Sequence, residues 1–357
     1  MVVLKRAKKD TKIFVGLSGG VDSAVSAALL QKEGYDVTGV FIKIVVPGYP
    51  CTAGQDRLDA MRVAAHLKIP FIELDLSKEY EQEVFKESLK GFGGGQTPNP
   101  DAMCNRQIKF GAFYRFAKSR GADYIATGHY AQTKNGELLM GVDPEKDQSY
   151  FLWAVPQEVL VHTLFPVGGM QKPEVRILAK KFRLPNAERK DSQGLCFLGP
   201  ISIGDMLTRE LKPQPGKVLT ERGEVIGVHD GAVLYTLGQR HGFTIHTHST
   251  DSQPLFVVAK NIEKNTITVS PDKYPLDATR TKIALREENW IGEKISGVCQ
   301  ARFRYRQQLI PATLFFQSGA AVIELEEPYY VPLGQSLVLY KGERCVGGGS
   351  VDKCELA

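Results

Sequence analysis

The chain has no apolar run approaching the length of a membrane span. It has no Cys-X-X-Cys pair of the kind that builds a zinc site, and no metal ligand set is expected. Its six cysteines (Cys51, Cys104, Cys196, Cys299, Cys345 and Cys354) are too dispersed for a secreted disulfide scaffold. Residues 1–9 form a short basic tail without the apolar core of a signal peptide, and it is too brief before the first strand for a transit peptide. Internal repeats and low-complexity segments are also absent. The expectation is a cytoplasmic protein with no membrane partner. One more absence bears on chemistry: the glycine-rich run from Gly16 to Ser23 lacks the Gly-Lys-Ser/Thr ending of a Walker A loop. An ordinary P-loop NTPase is therefore not the reading.

What is present suits an ordinary globular protein, with 43% hydrophobic and 24% charged residues. A length of 357 residues predicts two or three domains. A net charge of +5 permits a polyanionic partner without requiring one. The organising stretch is Gly16-Leu17-Ser18-Gly19-Gly20-Val21-Asp22-Ser23. A β-prone segment precedes it and apolar residues at helical spacing follow, so it reads as strand, tight loop and helix. The glycines let the backbone curl, and the N–H groups of the loop and first helical turn converge where the helix dipole favours an anion. Ser18 and Ser23 can add hydroxyl donors, and Asp22 can help place a metal ion or cap the helix. The competing interpretation is a plain Gly-Ser turn before a helix.

Strands at 36–42, 71–76 and 124–126 alternate with helices at 56–67, 79–89 and 109–120, which predicts a parallel, doubly wound α/β sheet. Ligands bind beyond the carboxyl ends of such strands, where the 16–23 loop and the Thr127-Gly128-His129-Tyr130 turn would both lie. Residues 91–100, with four glycines and two prolines, read as a loop that delivers Asp101 and Cys104. Residues 150–190 read as helical. Beyond Pro200, hairpin signals at 221–223 and 264–265 and strands at 281–285, 297–305, 312–317, 321–324 and 336–340 predict a small β-rich module and then a β-barrel. The expected divisions are 1–199, 200–278 and 279–357.

The run Ser18-Gly19-Gly20-Val21-Asp22-Ser23 resembles the SGGxDS signature of the ATP pyrophosphatases, the PP-loop family, which cleave ATP between its α- and β-phosphates. Further stretches narrow the resemblance: Thr97-Pro98-Asn99-Pro100-Asp101 with Cys104-Asn105, Gly128-His129-Tyr130, Lys146-Asp147-Gln148-Ser149-Tyr150, and Asp191-Ser192-Gln193-Gly194-Leu195-Cys196-Phe197. Together with Thr236-Leu237-Gly238-Gln239-Arg240 and Pro332-Leu333-Gly334-Gln335, the ordered set resembles the bacterial tRNA-specific 2-thiouridylase (MnmA) family, related to the mitochondrial TrmU enzymes, nearly end to end.

The resemblance implies an ATP- and Mg²⁺-dependent tRNA-uridine 2-sulfurtransferase that adenylates the 2-carbonyl oxygen of the wobble uridine and replaces it with sulfur. Gly16, Leu17, Ser18, Gly19, Gly20, Val21, Asp22 and Ser23, with Ile42 and Gly128, would hold ATP. Cys196 would carry a persulfide supplied by a cysteine desulfurase or a sulfur-relay protein. Cys104 would be the second nucleophile, the transfer would end in a Cys104–Cys196 disulfide, and Asp101 would act as acid or base. Asn99, Pro100, Asp101, His129, Lys146, Asp147, Gln148, Arg304, Tyr305 and Gln335 would contact tRNA. Arg302, Arg304 and Arg306 would alternate on one face of a strand as phosphate contacts, with a solvated basic strand as the alternative. The sequence departs from the family pattern at His241-Gly242-Phe243, Gln193 and Ile42. Competing functions are a PP-loop synthetase that adenylates a small metabolite, a thiolase holding an iron–sulfur cluster, and a non-catalytic tRNA-binding protein.

Overall fold

The computed structural model describes residues 7–49, 53–191, 197, 199, 201–246, 253–275 and 277–356. Strand β1 (Lys12–Gly16) leads into helix α1 (Val21–Lys32), followed by β2 (Asp36–Lys43), α2 (Ala53–Leu67) and β3 (Phe71–Asp75). Helix α3 (Ser77–Tyr80) runs through a π-helical stretch (Glu81–Lys86) into α4 (Glu87–Gly93). Helix α5 (Pro100–Cys104) likewise continues through Asn105–Ala112, also π-helical, into α6 (Phe113–Ser119), and β4 (Tyr124–Ala126) follows. A hairpin, β5 (Ala131–Lys134) and β6 (Glu137–Met140), precedes α7 (Ser149–Leu152), α8 (Gln157–Leu160), β7 (Thr163–Leu164) and α9 (Lys172–Lys181).

The first sheet has the order β3-β2-β1-β4-β7, with every pairing parallel. Its inner strands β1 and β2 are apolar on both faces because helices cover both. In β1, Ile13 and Val15 face one core with α1 and α2, and Phe14 faces the other with the π-helical stretches. Helix α1 packs close because its buried positions are mostly small: Ser23, Ala24, Ser26, Ala27 and Ala28.

Helix α10 (Ile203–Leu211) leads into a second sheet of β8 (Gly216–Leu219), β9 (Val225–His229), β10 (Phe243–Ile245), β11 (Phe256–Asn261) and β12 (Thr266–Ser270). Both hairpins read at 221–223 and 264–265 are present. The last unit is a barrel of β13 (Thr281–Trp290), β14 (Gly297–Arg302), β15 (Ile310–Gln317), β16 (Ala320–Leu325), β17 (Ser336–Lys341) and β18 (Arg344–Leu356), closed by the β13–β18 pairing.

Three sequence expectations are corrected, and one junction was not foreseen. Residues 150–190 are not helical throughout: β7 interrupts them and completes the parallel sheet. The glycine-rich segment begins inside α4, which runs to Gly93, and Thr97 then donates its N–H to the Leu333 carbonyl at 2.7 Å, tying it to the barrel. Strand β14 stops at Arg302 instead of reaching Tyr305. Hairpin β5–β6, which belongs to the α/β part of the chain, adds to β18 of the barrel through the Leu138–Cys345 and Leu139–Arg344 register. An Arg344–Glu137 ion pair at 2.8 Å backs that junction. The α/β unit and the barrel thus share one continuous sheet edge and one apolar core, with Val338, Tyr340 and Cys345 packed among Cys104, Phe110 and Tyr150.

Candidate active site

The loop after β1 is held open from behind. Leu17 donates its N–H to the Val40 carbonyl at 2.8 Å, which seats the start of the loop on β2. The Ser23 hydroxyl donates to the Gly20 carbonyl (3.1 Å) and accepts from the Ser18 N–H (3.2 Å), fixing the loop's curl. Gly19 has φ +80°, and a Cβ there would lie 2.5 Å from the Asp56 carbonyl oxygen, so only glycine fits. Its own carbonyl accepts from Asn186 Nδ2 at 2.7 Å. Helix α1 starts after Gly20 with no side-chain cap. The N–H groups of its first turn, with the positive end of the dipole behind them, form an anion site.

Asp22 opens α1, and three cationic side chains gather around it and Asp191. Lys172, at the start of α9, reaches Asp22 Oδ1 (2.7 Å) and Oδ2 (2.9 Å) as well as Asp191 (2.9 Å). Lys146 and Arg176 also bind Asp191, at 2.8 and 2.6 Å. The Tyr130 hydroxyl donates to Asp22 at 2.8 Å. Burial pushes the Asp191 carboxyl up, but Lys146 and Lys172 outweigh it and hold its pKa at about 2. A permanently ionised Asp191 therefore anchors a cluster of cations beside the nucleotide loop.

One turn joins this loop to the cysteine helix. A Cβ on Gly128 would lie 2.6 Å from the Ser23 N, so the turn after β4 rests directly on the first turn of α1. The next residue, His129, faces the other way, with Nε2 3.5 Å from Lys109 Nζ on the stretch that continues α5. Helix α5 begins where its sequence dictates: Asn99 Oδ1 accepts the Ala102 N–H at 3.1 Å as N-cap, and Pro100 occupies the first turn. Asp101 stands half-exposed in that turn, and Cys104 closes the helix fully buried. Between α4–α5 and the barrel opens a cleft of about 520 Å³, walled by Lys90, Asn99, Arg106, Arg286 and Ser336.

Three domain families match along the chain: "tRNA methyl transferase HUP domain" over residues 11–200, "tRNA methyl transferase PRC-barrel domain" over 204–271 and "Aminomethyltransferase beta-barrel domain" over 280–351. Full-length relatives carry a different name. The tRNA-specific 2-thiouridylase MnmA of Bacillus subtilis (strain 168) is 41% identical over 98% of this chain and 97% of its own. Those of Listeria monocytogenes serotype 4b (strain CLIP80459) and Halalkalibacterium halodurans are 43% and 42% identical, each over 96% of this chain and 95% of theirs. This chain belongs to the tRNA-specific 2-thiouridylase MnmA family.

Within that family frame, several residues expected at tRNA are engaged within the fold. The Asp147 carboxylate is 1% exposed: it accepts from the Gly141 and Ser149 N–H groups and pairs with Arg302 Nη1 at 2.9 Å. It is an internal anchor because all its acceptor capacity is used within the fold. Gln148 accepts the Tyr130 N–H at 2.9 Å, and Lys146 points to Asp191. His129 is buried, with Nδ1 2.8 Å from Thr127 Oγ1 and the ring packed between Phe110 and Phe165. Its pKa is driven well below the usual histidine value by burial and then by the Lys109 charge, so the imidazole is neutral.

The arginine ladder is also corrected. Arg302 is buried in the Asp147 pair, and after it the chain turns, with Arg306 at φ +61°. Arg304 stays exposed, Arg306 donates to the Glu145 carbonyl at 3.0 Å, and Tyr305 stacks on Phe151 with ring centroids 4.8 Å apart. Gln335 supports the same turn through the Phe303 carbonyl at 2.9 Å. Ile42 is buried near the carboxyl end of β2. Cys196, with Ser192 to Leu195, lies outside the described residues, as does Cys51. Sequence reasoning missed the contacts of Lys172, Arg176 and Lys109. Lys172 read only as part of a helix start, and nothing local marks it as a partner of Asp22, 150 residues away.

Proposed function

We propose that this chain is an ATP-dependent tRNA-uridine 2-sulfurtransferase acting on the wobble uridine. The observation that carries the reading is the pair Gly128 and His129. Adjacent in sequence, they touch the first turn of α1 and the helix of Cys104 respectively, so nucleotide loop and cysteine share one turn.

The uridine 2-carbonyl oxygen is a poor leaving group. Attack by that oxygen on the α-phosphorus of ATP expels pyrophosphate and leaves AMP attached, which departs readily. The open N–H groups of α1 receive phosphate, and Lys172 is placed to exchange Asp22 for phosphate oxygens. Among the described residues no group of three His, Cys, Asp or Glu side chains could hold a metal ion. Asp22 offers a carboxylate beside the anion site, which suits Mg²⁺ arriving on the nucleotide with waters and phosphates as its other ligands. The ion would neutralise charge on the pyrophosphate.

Sulfur then arrives as a persulfide on Cys196, loaded by a desulfurase or relay protein. In one route its terminal sulfur attacks C2, AMP leaves, and the Cys104 thiolate attacks Cys196 Sγ to release the thiocarbonyl. In the other, Cys104 first releases hydrosulfide, which attacks C2. Both routes end in a Cys104–Cys196 disulfide that takes two electrons from a reductant before the next turnover. Asp101, one helical turn before Cys104, would move the proton. The anticodon loop, whose bases can be splayed out, would enter through the cleft at Asn99.

The test is 2-thiouridine formation on an unmodified tRNA transcript with ATP, Mg²⁺, a cysteine desulfurase and cysteine, with pyrophosphate followed in the same tubes. The wild type is expected to thiolate, while Cys104→Ser and Cys196→Ser release pyrophosphate without making thiouridine. Thiolation by Cys196→Ser would move the persulfide elsewhere, and no thiolation by the wild type would favour a small-metabolite synthetase.

A further inference from the structure

The carbonyl of Gly19 is gripped from behind by a segment far away in the chain. Asn186 Nδ2 donates to it at 2.7 Å and Arg189 Nη1 at 3.3 Å. No peptide bond among the described residues is cis, so the Gly20 N–H points away from that carbonyl. It faces the open side of the loop, where the exposed Ser18 hydroxyl lies 3.3 Å away. Gly19 itself is buried, and a Cβ there would lie 2.9 Å from Arg189 Nη1. The two side chains thus set the plane of the Gly19–Gly20 peptide from its buried face.

An arginine beside an anion site invites assignment as a phosphate ligand, but the charge of Arg189 is committed elsewhere. Its guanidinium pairs with Asp59 Oδ2 at 2.8 Å and with Asp56 Oδ1, two carboxylates three residues apart on α2. Two anions on one cation leave it no positive field to offer a phosphate. The surrounding segment is anchored as well: Arg176 of α9 donates to the Ala187 carbonyl at 3.1 Å, to the Arg189 carbonyl and to Asp191. Asn186 is buried, and its Oδ1 has no hydrogen-bond partner among the described residues. An unpaired buried acceptor weakens a fold. What this side chain accomplishes is its bond to Gly19.

We propose that Asn186 and Arg189 are positioning residues for the nucleotide, acting through the Gly19 carbonyl to keep the Gly20 N–H on the phosphate side of the loop. The inference rests on the ATP reading of that loop. Glycine on both sides of the peptide imposes little barrier to its rotation, so the loop's own sequence does not fix the plane. A flipped peptide would turn an oxygen, and not a donor, toward the phosphates. Donors on the Gly19 carbonyl oppose that flip, and by polarising the peptide they strengthen the Gly20 N–H as a donor.

The experiment is equilibrium binding of ATP to the full chain without tRNA, beside pyrophosphate release measured at varied ATP and saturating tRNA. Arg189→Met and Asn186→Leu are expected to raise Kd and KM for ATP about tenfold, the effect of one charge-assisted hydrogen bond. The kcat and the affinity for tRNA should stay near wild type. Arg189→Lys, whose ammonium has one donor each for Gly19, Asp56 and Asp59, is expected to remain within about threefold of wild type. Asn186→Leu strands no charge and carries the test if Arg189→Met fails to fold. A fall in kcat with Kd and KM for ATP unchanged would make both residues supports of the fold and overturn the proposal. A wild type that binds ATP but makes no thiouridine would sink the sulfur-transfer reading instead, and the same Kd comparison would still decide the role of Asn186 and Arg189.

Discussion

Asp147 and Arg302 form an ion pair that crosses from the α/β unit into the barrel, with Oδ2 and Nη1 2.9 Å apart and side chains 1% and 7% exposed. Around it, Ser149 Oγ lies 3.0 Å from the Tyr340 hydroxyl, and the Tyr150 hydroxyl reaches the Phe303 and Ser336 carbonyls. This polar core sits within the apolar core common to the two units.

Breaking the pair from one side leaves a buried charge without its partner. Asp147→Ala is expected to cost about 3–5 kcal/mol in denaturant unfolding, and Arg302→Met a similar amount. The double variant is expected to lose much less than the sum, because neither charge is then stranded. Additive losses in the cycle would show that the two side chains are not coupled.

Lys172 meets both carboxylates of the nucleotide site, so its loss should be felt by ATP and not by RNA. Lys172→Met is expected to lower kcat/KM for ATP by about 10–100-fold, the range of a charge-assisted hydrogen bond worth about 1.5–3 kcal/mol. Binding of tRNA in a filter assay should be unchanged. An equal loss in both would mean that Lys172 supports the fold at large.

What could be read beforehand was local. The strand–loop–helix around Ser18-Gly19-Gly20 and the cap of α5 at Asn99 are each encoded within a few residues. The Lys172–Asp22–Asp191 cluster is not, because its members come from three distant segments and no spacing links them. The β5–β6 hairpin carried a readable signal that went unused: Asn135-Gly136, both at positive φ (53° and 82°), is the preferred pair for a two-residue hairpin turn. Its destination, the edge of β18, depends on tertiary pairing alone. Arg302, Arg304 and Arg306 misled for a related reason. Alternation implies one face only while the strand lasts, and this one ends at Arg302.

Gly128 provides a steric test of the shared turn. A Cβ at that position would lie 2.6 Å from the Ser23 N and 2.7 Å from the Asp22 carbonyl carbon, both backbone atoms that cannot swing aside. Gly128→Ala is expected to displace the turn from α1 and to abolish pyrophosphate release while leaving the thermal midpoint within a few degrees. Normal pyrophosphate release by this variant would show that the contact is not needed for nucleotide use.

Asp191 should set the acid limb of stability. Its carboxyl is depressed from 3.8 to about 2 in the folded chain, so the stability it contributes is fully present above pH 4 and is lost as pH falls through 2. Asp191→Asn is expected to lower the denaturant midpoint at pH 7, with the difference from wild type narrowing between pH 4 and 2. A difference that stays constant across that window would mean that the ionised form of Asp191 is not what Lys146, Lys172 and Arg176 hold.

Arg304 and Arg302 separate surface from interior by their response to salt. Arg304 is exposed at the turn beyond β14, where a phosphate can reach it, and Arg302 is committed to Asp147. Each phosphate neutralised on folded RNA contributes about 0.7–0.9 to the slope of log K against log salt. Arg304→Ala is expected to weaken tRNA binding and reduce that slope by about one such step. Arg302→Met, measured where it remains folded, should leave the slope intact and change only stability. An unchanged slope in the Arg304 variant would remove it from the RNA surface and leave the cleft lined by Lys90, Arg106 and Arg286 as the better place to look.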